Sequence, residues 1–318
     1  MDSRSPTVLV LAGPTGVGKT DISIQIANRI NCEIVSADSR QIYRFMNIGT
    51  SKPYKETLES VPHHFIDILN PDEDYSAGQY AKEAREVIQR IRESRKIPLV
   101  VGGSGLYIRA LLNGFFGEDY RDESIRAQLN NRLKKEGALN LYSDLQRIDP
   151  QSAEQTHPNN VKRILRSLEV YYITGRPMSQ IQKSGEDPAP FPWIKFGLIM
   201  NRENLYERIN GRVDQMFKEG LIEEVQDLLK NGYSPKLNSL NSVGYKEIIE
   251  YLDDDLDLEN CVSLVKQNTR RYAKRQLTWF RRETDVHWVA IENPANFSSE
   301  IAENVLRRYE PLTLEGPI

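Results

Sequence analysis

An α/β fold is predicted for this chain: a parallel sheet flanked by helices, with an all-helical domain inserted into it. Three observations carry the prediction. Apolar runs at residues 7–12, 32–37, 97–101 and 196–200 alternate with stretches of helical spacing. The first run leads straight into Gly13-Pro14-Thr15-Gly16-Val17-Gly18-Lys19-Thr20, and Ile22, Ile26, Ala27 and Ile30 follow at helical intervals. Strand, glycine-rich loop and helix in that order define a P-loop NTPase-like core. Finally, strand signals cease at about residue 119, and charged helical ones replace them until about 190. The expected division is therefore 1–118 as the first part of the core, 119–190 as the helical insertion, 191–295 as the second part with a basic helix, and 296–318 as a peripheral tail.

Composition narrows the class. A chain of 318 residues fits two domains, or one with a large insertion. No apolar run reaches the length of a membrane span, and residues 1–6 are too short and polar for a secretory signal, so a soluble cytoplasmic protein is expected, with no membrane partner. Cys32 and Cys261 read as free thiols. Of the four histidines only His63 and His64 are adjacent, and none has zinc-ligand spacing. A net charge of −3 does not advertise nucleic acid, so such a partner must be held by a local patch. The expected state is a monomer.

In chain order, the phosphate loop comes first. Its glycines let successive N–H groups converge on one point, where the following helix adds the positive end of its dipole. Lys19 supplies a point charge to outer phosphate oxygens, and Thr20 a hydroxyl for magnesium. The strand at 32–37 delivers Asp38, Ser39, Arg40 and Gln41 to the carboxyl edge of the sheet, where ligands sit. Asp38 there serves either to organise magnesium or as a general base; an aspartate that merely caps a turn is the plain alternative. Residues 65–69 read as a short strand. Ser76 and Gln79 form a capping box for a helix running to Arg92. The strand at 97–101 ends in Gly102-Gly103-Ser104-Gly105, which lacks a lysine but permits close backbone approach to a ligand.

In the insertion, residues 126–135 and 139–148 read as amphipathic helices, and Lys162, Arg163 and Arg166 fall on a helix running to Ile173. Beyond it, Asn201 caps a helix bearing Arg208 and Arg212 on its flanks; by itself Arg212 reads as a solvated arginine. Residues 241–246 form a turn, and the acidic run at 253–257 another, solvated one. The basic helix at 267–283 places Arg270, Lys274 and Arg281 on a stripe, with Arg271, Arg275 and Arg282 beside it. No acidic residue interrupts it from Lys266 to Arg282. Such a stripe neutralises several phosphates at once. A last strand at 286–290 and a peripheral helix close the chain.

A phosphate loop alone is shared by several classes. A GTPase is disfavoured because no Asn-Lys-x-Asp pattern occurs, and a helicase because the strand at 97–101 ends in glycines rather than carboxylates. A small-molecule or nucleoside kinase with Asp38 as base remains open. So does a transferase whose loop holds a leaving diphosphate while a nucleic acid on the basic helix supplies the acceptor. A pure nucleic-acid-binding module leaves the loop and Asp38 unexplained.

Gly-Pro-Thr-x-x-Gly-Lys-Thr at 13–20, Ser-Ala-Asp-Ser-Arg-Gln-Ile-Tyr at 36–43, Val-Gly-Gly-Ser-Gly-Leu-Tyr at 101–107, Val-Gly-Tyr-Lys-Glu at 243–247 and Thr-Arg-Arg-Tyr-Ala-Lys-Arg-Gln-Leu-Thr-Trp-Phe-Arg at 269–281 together resemble the bacterial tRNA dimethylallyltransferases, in order and spacing. The resemblance implies transfer of a dimethylallyl group from dimethylallyl diphosphate to N6 of the adenosine 3′ of the anticodon, in tRNAs reading codons that begin with uridine. It implies catalytic roles for Asp38, Thr20 and Arg212, with the loop from Gly13 to Thr20 on the diphosphate, assisted by magnesium on Thr20. The loop also suits ATP, which this reaction does not need. Contacts with tRNA are implied for Asp38, Ser39, Arg40, Gln41 and Ser104, for Arg126, Lys162, Arg163, Ile164, Leu165 and Arg166 in the insertion, and for Asn241, Ser242, Val243, Gly244, Tyr245 and Lys246. The basic helix adds Arg270, Lys274 and Arg275. The chain departs from the family pattern at Gly16-Val17, where Ala-Ser is usual, and at Asn159-Asn160, where Asn-Asp is usual.

Overall fold

The computed structural model of the protein describes residues 7–114, 120–184, 187–292 and 297–314. In order, the elements are β1 (Val8–Ala12), α1 (Lys19–Ala27), β2 (Cys32–Ala37), α2 (Lys55–Ser60), β3 (His63–His64), α3 (Ala77–Glu93), β4 (Ile97–Gly102), α4 (Gly105–Asn113), α5 (Glu123–Ile148), α6 (Pro150–Glu154), α7 (Val161–Thr174), α8 (Met178–Ser184), β5 (Trp193–Met200), α9 (Arg202–Lys218), α10 (Leu221–Lys230), α11 (Tyr245–Leu252), α12 (Leu258–Phe280), β6 (His287–Ile291) and α13 (Phe297–Leu314).

Among the described residues the strands form one six-stranded sheet of order β3-β2-β4-β1-β5-β6, with every pair parallel. Strands buried on both faces need continuous apolar runs, and β1 is buried along its whole length. The chain steps from β1 to β2 on one side of β4 and later returns to β5 on the other side of β1. The loop after β1 therefore opens at the point where strand order reverses, the ligand crevice of open parallel sheets.

The chain divides into two compact units. One runs to Tyr75, includes Lys82–Ile108 and resumes at Pro190; the other comprises Ser76–Ala81 and Arg109–Ala189. The expected boundary at residues 118 and 119 lies outside the described residues. In the sheet unit, Leu9, Leu11, Ile22, Ile26, Phe196, Leu198, Leu205 and Ile209 share one core with Ile301, Ala302, Val305, Leu306 and Tyr309 of α13. The closing helix is thus a wall of the core and not a peripheral tail: its apolar residues recur at helical spacing, and Tyr309 Oη donates to Thr7 O at 2.6 Å. In the helical unit, Leu129, Leu141, Leu145, Ala153, Ile164 and Leu168 form a separate core. The two helices read at 126–135 and 139–148 are joined as α5 across Gly137, whose φ of 81° and ψ of 167° break the helical path.

Two readings of local structure are corrected. Residues 65–69 are not a strand, because Phe65 and Asp67 have φ of 65° and 55°, in the left-handed region that a strand excludes; pairing with β2 falls instead on His63 and His64. The basic helix ends at Phe280, so Arg281 and Arg282 lie in the turn beyond it and do not extend its stripe.

Candidate functional site

The sheet unit brings the phosphate loop, Asp38, Arg212 and α12 to one edge. The loop's shape comes from Gly16 and Gly18, with φ of 83° and 95°; a Cβ on Gly16 would also meet Ile209 Cγ1 at 2.7 Å. Gly18 is the N-cap of α1, which leaves the first N–H groups of the helix facing the loop. Val17 is fully buried beneath it, anchoring the turn in the core. Lys19 folds back over the loop and donates to Gly13 O at 3.0 Å and Pro14 O at 2.9 Å. Burial pushes its ammonium down to about 8; Asp38 opposes that shift and Arg212 adds to it.

Arg212 is not the solvated arginine that its helix position suggests. Its Nη2 donates to Thr15 Oγ1 at 2.5 Å, while its buried Nε has no partner among the described residues. Burial is the largest cause of a shift to about 10, with Arg208 contributing in the same direction and Asp38 against it. Arg208, one turn earlier on α9, donates from Nε to Gly16 O at 3.1 Å. Three cations therefore converge on the loop, and an unpaired buried donor among them is a place for an anion.

Asp38 follows the last residue of β2. Its Oδ1 accepts N–H of Arg40 at 2.8 Å and of Gln41 at 3.3 Å, so the turn-capping role and a role in chemistry coexist in one side chain. Its negative charge is felt at Lys19, Arg212, Tyr107 and Tyr272. Tyr272 is pushed up to about 12, first by burial and then by Asp38. Arg40 reaches across to Asn238 O at 2.8 Å, and Gln41 Nε2 holds Ser51 O at 3.0 Å. Ser39 is half-buried beside them, and Ser104 is half-buried after β4 with its N–H on Ala37 O at 3.2 Å. Among the described residues no group of three His, Cys, Asp or Glu side chains is arranged to hold a metal.

The residues expected on RNA separate into groups. Lys274 and Arg275 are exposed on α12, but Arg270 turns toward α9, donating to Asn210 Oδ1 at 2.6 Å and lying 5.8 Å from the Tyr206 ring centre. Lys266 pairs with Asp214 at 2.6 Å, an acidic partner that the local run of sequence does not reveal. Asn241 is exposed, while Ser242, Val243 and Lys246 are half-buried. Gly244 is the N-cap of α11, with φ of 98°. Tyr245 is fully buried, and its hydroxyl donates to Glu224 Oε1 at 2.6 Å, so its side chain is engaged within the chain. In the helical unit Lys162 and Arg163 are exposed, and Arg126 and Arg166 both grip Glu169 Oε2, at 3.2 and 3.1 Å. Ile164 is 1% exposed and Leu165 packs on the same core, so these two side chains are structural, as an apolar face of α7 requires.

Sequence reasoning missed Gln276, whose amide joins Thr15 N to Gly103 O, and placed Arg208 on the flank of its helix without giving it a role. It missed also Glu224, which binds the N–H groups of Asn47 and Ile48 at 2.8 Å and of Gly49 at 3.1 Å. The available signal for Gln276 was a polar residue on the row of Val265, Thr269 and Phe280.

This fold and loop define a P-loop NTPase-like protein, with its glycine-rich loop at the switch point of the sheet. The chain belongs to the IPP transferase family, whose model matches residues 41–283. It is 46% identical over 97% of its length to a tRNA dimethylallyltransferase of Pelotomaculum thermopropionicum, covering 98% of that protein. A second tRNA dimethylallyltransferase, from Thermotoga neapolitana, is 47% identical over 88% of this chain and 90% of its own. The fold is similar to the full-length tRNA isopentenylpyrophosphate transferase of Bacillus halodurans, with a TM-score of 0.70 and 39% identity over 96% of this chain and 97% of that one. It is also similar to a eukaryotic dimethylallyltransferase solved acting on tRNA, with a TM-score of 0.83 and 28% identity over 99% of this chain and 81% of that one.

Proposed function

We propose that the chain transfers the dimethylallyl group of dimethylallyl diphosphate to N6 of the adenosine 3′-adjacent to the anticodon, in tRNAs reading codons that begin with uridine. The observation that carries the reading is Arg212. Its buried Nε, unpartnered among the described residues, lies beside the phosphate loop, with Asp38 close enough to act on the arginine's charge.

The chemistry follows from charge. The N6 lone pair attacks the allylic carbon, the carbon–oxygen bond breaks, and its electron pair leaves with the diphosphate. Charge therefore grows at the loop, where Arg212 and the N–H groups of α1 meet it in place and Lys19 turns to it from the carbonyls of Gly13 and Pro14. N6 is a poor nucleophile because its lone pair is delocalised into the ring; Asp38 accepts its proton as the new bond forms. The base must leave its stack to reach the end of β2, which costs least in an unpaired loop. Lys274 and Arg275 on α12, and Lys162 and Arg163 on α7, are exposed cations suited to RNA phosphates.

Magnesium fits this site as a substrate-borne ion. Among the described residues no three His, Cys, Asp or Glu side chains form a cage for it; Thr20, in the first turn of α1, would offer its hydroxyl, and a hydrated ion held mostly by phosphate oxygens needs little more. When bound there it neutralises phosphate charge on the leaving group.

A stem-loop RNA with adenosine or inosine at the target position tests the reading, using carbon-labelled dimethylallyl diphosphate. Label is expected in the adenosine RNA alone, since inosine carries no exocyclic amine. Equal labelling of both would overturn the assignment of N6.

A further inference from the structure

Gln276 belongs to the buried face of α12, among Val265, Thr269, Ala273 and Phe280, and is only 7% exposed. A glutamine on an apolar face must have both ends of its amide matched. Here they are: Oε1 accepts the N–H of Thr15 at 2.8 Å, and Nε2 donates to Gly103 O at 2.8 Å. The orientation is unambiguous, because a backbone N–H only donates and a carbonyl only accepts. Gly103 is shaped for this approach, since a Cβ there would lie 2.3 Å from Gln276 Nε2. Thr15 in turn accepts through Oγ1 from Arg212. One unbroken series of hydrogen bonds thus runs from the loop after β4, through α12, to the phosphate loop and on to α9.

We infer that Gln276 is a positioning residue for the donor diphosphate, holding Thr15 and through it Arg212 in place. The inference rests on the prenyl-transfer reading. Gln276 Oε1 takes the Thr15 N–H out of the set of anion donors, so the outer turn of the loop is held by α12 and not by the ligand. Arg212 then meets the leaving group with its direction already set, as tight positioning demands.

Two variants test this independently. Gln276→Met keeps the length of the side chain and removes both hydrogen bonds. Gly103→Ala leaves Gln276 in the sequence but drives a methyl group into its amide. Steady-state transfer is measured with each substrate varied in turn, and thermal melting of each variant is recorded. In both variants kcat/KM for dimethylallyl diphosphate is expected to fall roughly 10- to 100-fold, with KM for the stem-loop RNA unmoved and the melting temperature lowered by only a few degrees, about what a lost buried hydrogen bond costs. Unchanged donor kinetics in both variants, or a KM for the RNA that rises as much as the KM for the donor, would overturn the positioning role. A wild-type protein that moves no label to RNA would instead refute the prenyl-transfer reading itself.

Discussion

Arg212 and Thr15 are separated by most of the chain, yet Nη2 of the arginine donates to the threonine hydroxyl at 2.5 Å while the arginine's buried Nε stays unpartnered among the described residues. An arginine so placed is held at one end and available at the other. Arg212→Lys keeps the charge but loses the planar fork that reaches Thr15 and the site together. Transfer is expected to slow about 10²- to 10³-fold, with RNA affinity unchanged, as single-turnover kinetics and a gel-shift titration will show.

The lowered Lys19 makes donor binding pH-dependent. Its ordinary value is 10.5, and burial brings it to about 8 in the folded protein. Below about 8 the ammonium is charged in both folded and unfolded states. Between there and 10.5 the unfolded chain holds the extra proton, so the burial penalty on folding is relieved as pH rises. Donor binding runs the other way: the diphosphate favours the ammonium, so above about 8 binding takes up a proton and affinity falls by up to about tenfold per pH unit. Calorimetry in two buffers of different ionisation enthalpy is expected to find proton uptake near zero at neutral pH and rising above pH ~8.

Asp38 has two duties that substitution can separate. Asn keeps an oxygen for the N–H groups of Arg40 and Gln41 but cannot take a proton. Asp38→Asn is expected to melt close to wild type while losing roughly 10²- to 10⁴-fold in transfer rate. Asp38→Ala gives up the turn as well, at a cost of about 1 kcal/mol, readable by chemical denaturation.

Glu224 is expected to matter for stability. It joins the N–H groups of Asn47, Ile48 and Gly49 to the hydroxyl of Tyr245, whose ring packs so closely that a Cβ on Gly49 would lie 2.4 Å from it. Glu224→Ala takes the acceptor from the half-buried N–H groups of Ile48 and Gly49 and from the hydroxyl of the buried Tyr245, and a loss of roughly 1–3 kcal/mol is expected. Urea unfolding measures it, and limited proteolysis is expected to open the chain first near residues 44–52.

The phosphate loop, β1, β2 and Asp38 were legible because their information is local: a strand run, a glycine pattern, a residue at a strand end. The α9 helix was legible, but not the direction in which Arg212 faces, since burial of a flank depends on elements far along the chain. The same holds for Arg270, which reads as part of a cationic stripe until Asn210 and Tyr206 of α9 claim it. Gln276 and Glu224 act across separations of 261 and 175–177 residues, and nothing in their own neighbourhoods announces a partner. Helix α13 was legible as a helix but not as a wall of the core, because its apolar face acquires meaning only against β5, β6 and α1. Motifs revealed which chemistry belongs at the sheet edge; packing decides which side chains reach it.

The central claim is that the loop holds a leaving diphosphate and not a phosphoryl donor. Dimethylallyl diphosphate labelled with carbon-14 in the five-carbon group and phosphorus-32 in the diphosphate decides it, incubated with the protein, magnesium and an adenosine-bearing anticodon stem-loop. The expected result is carbon label in the RNA and all of the phosphorus label in free diphosphate, with both signals suppressed in Asp38→Asn. Phosphorus label transferred to any acceptor, with no carbon label in the RNA, would contradict it.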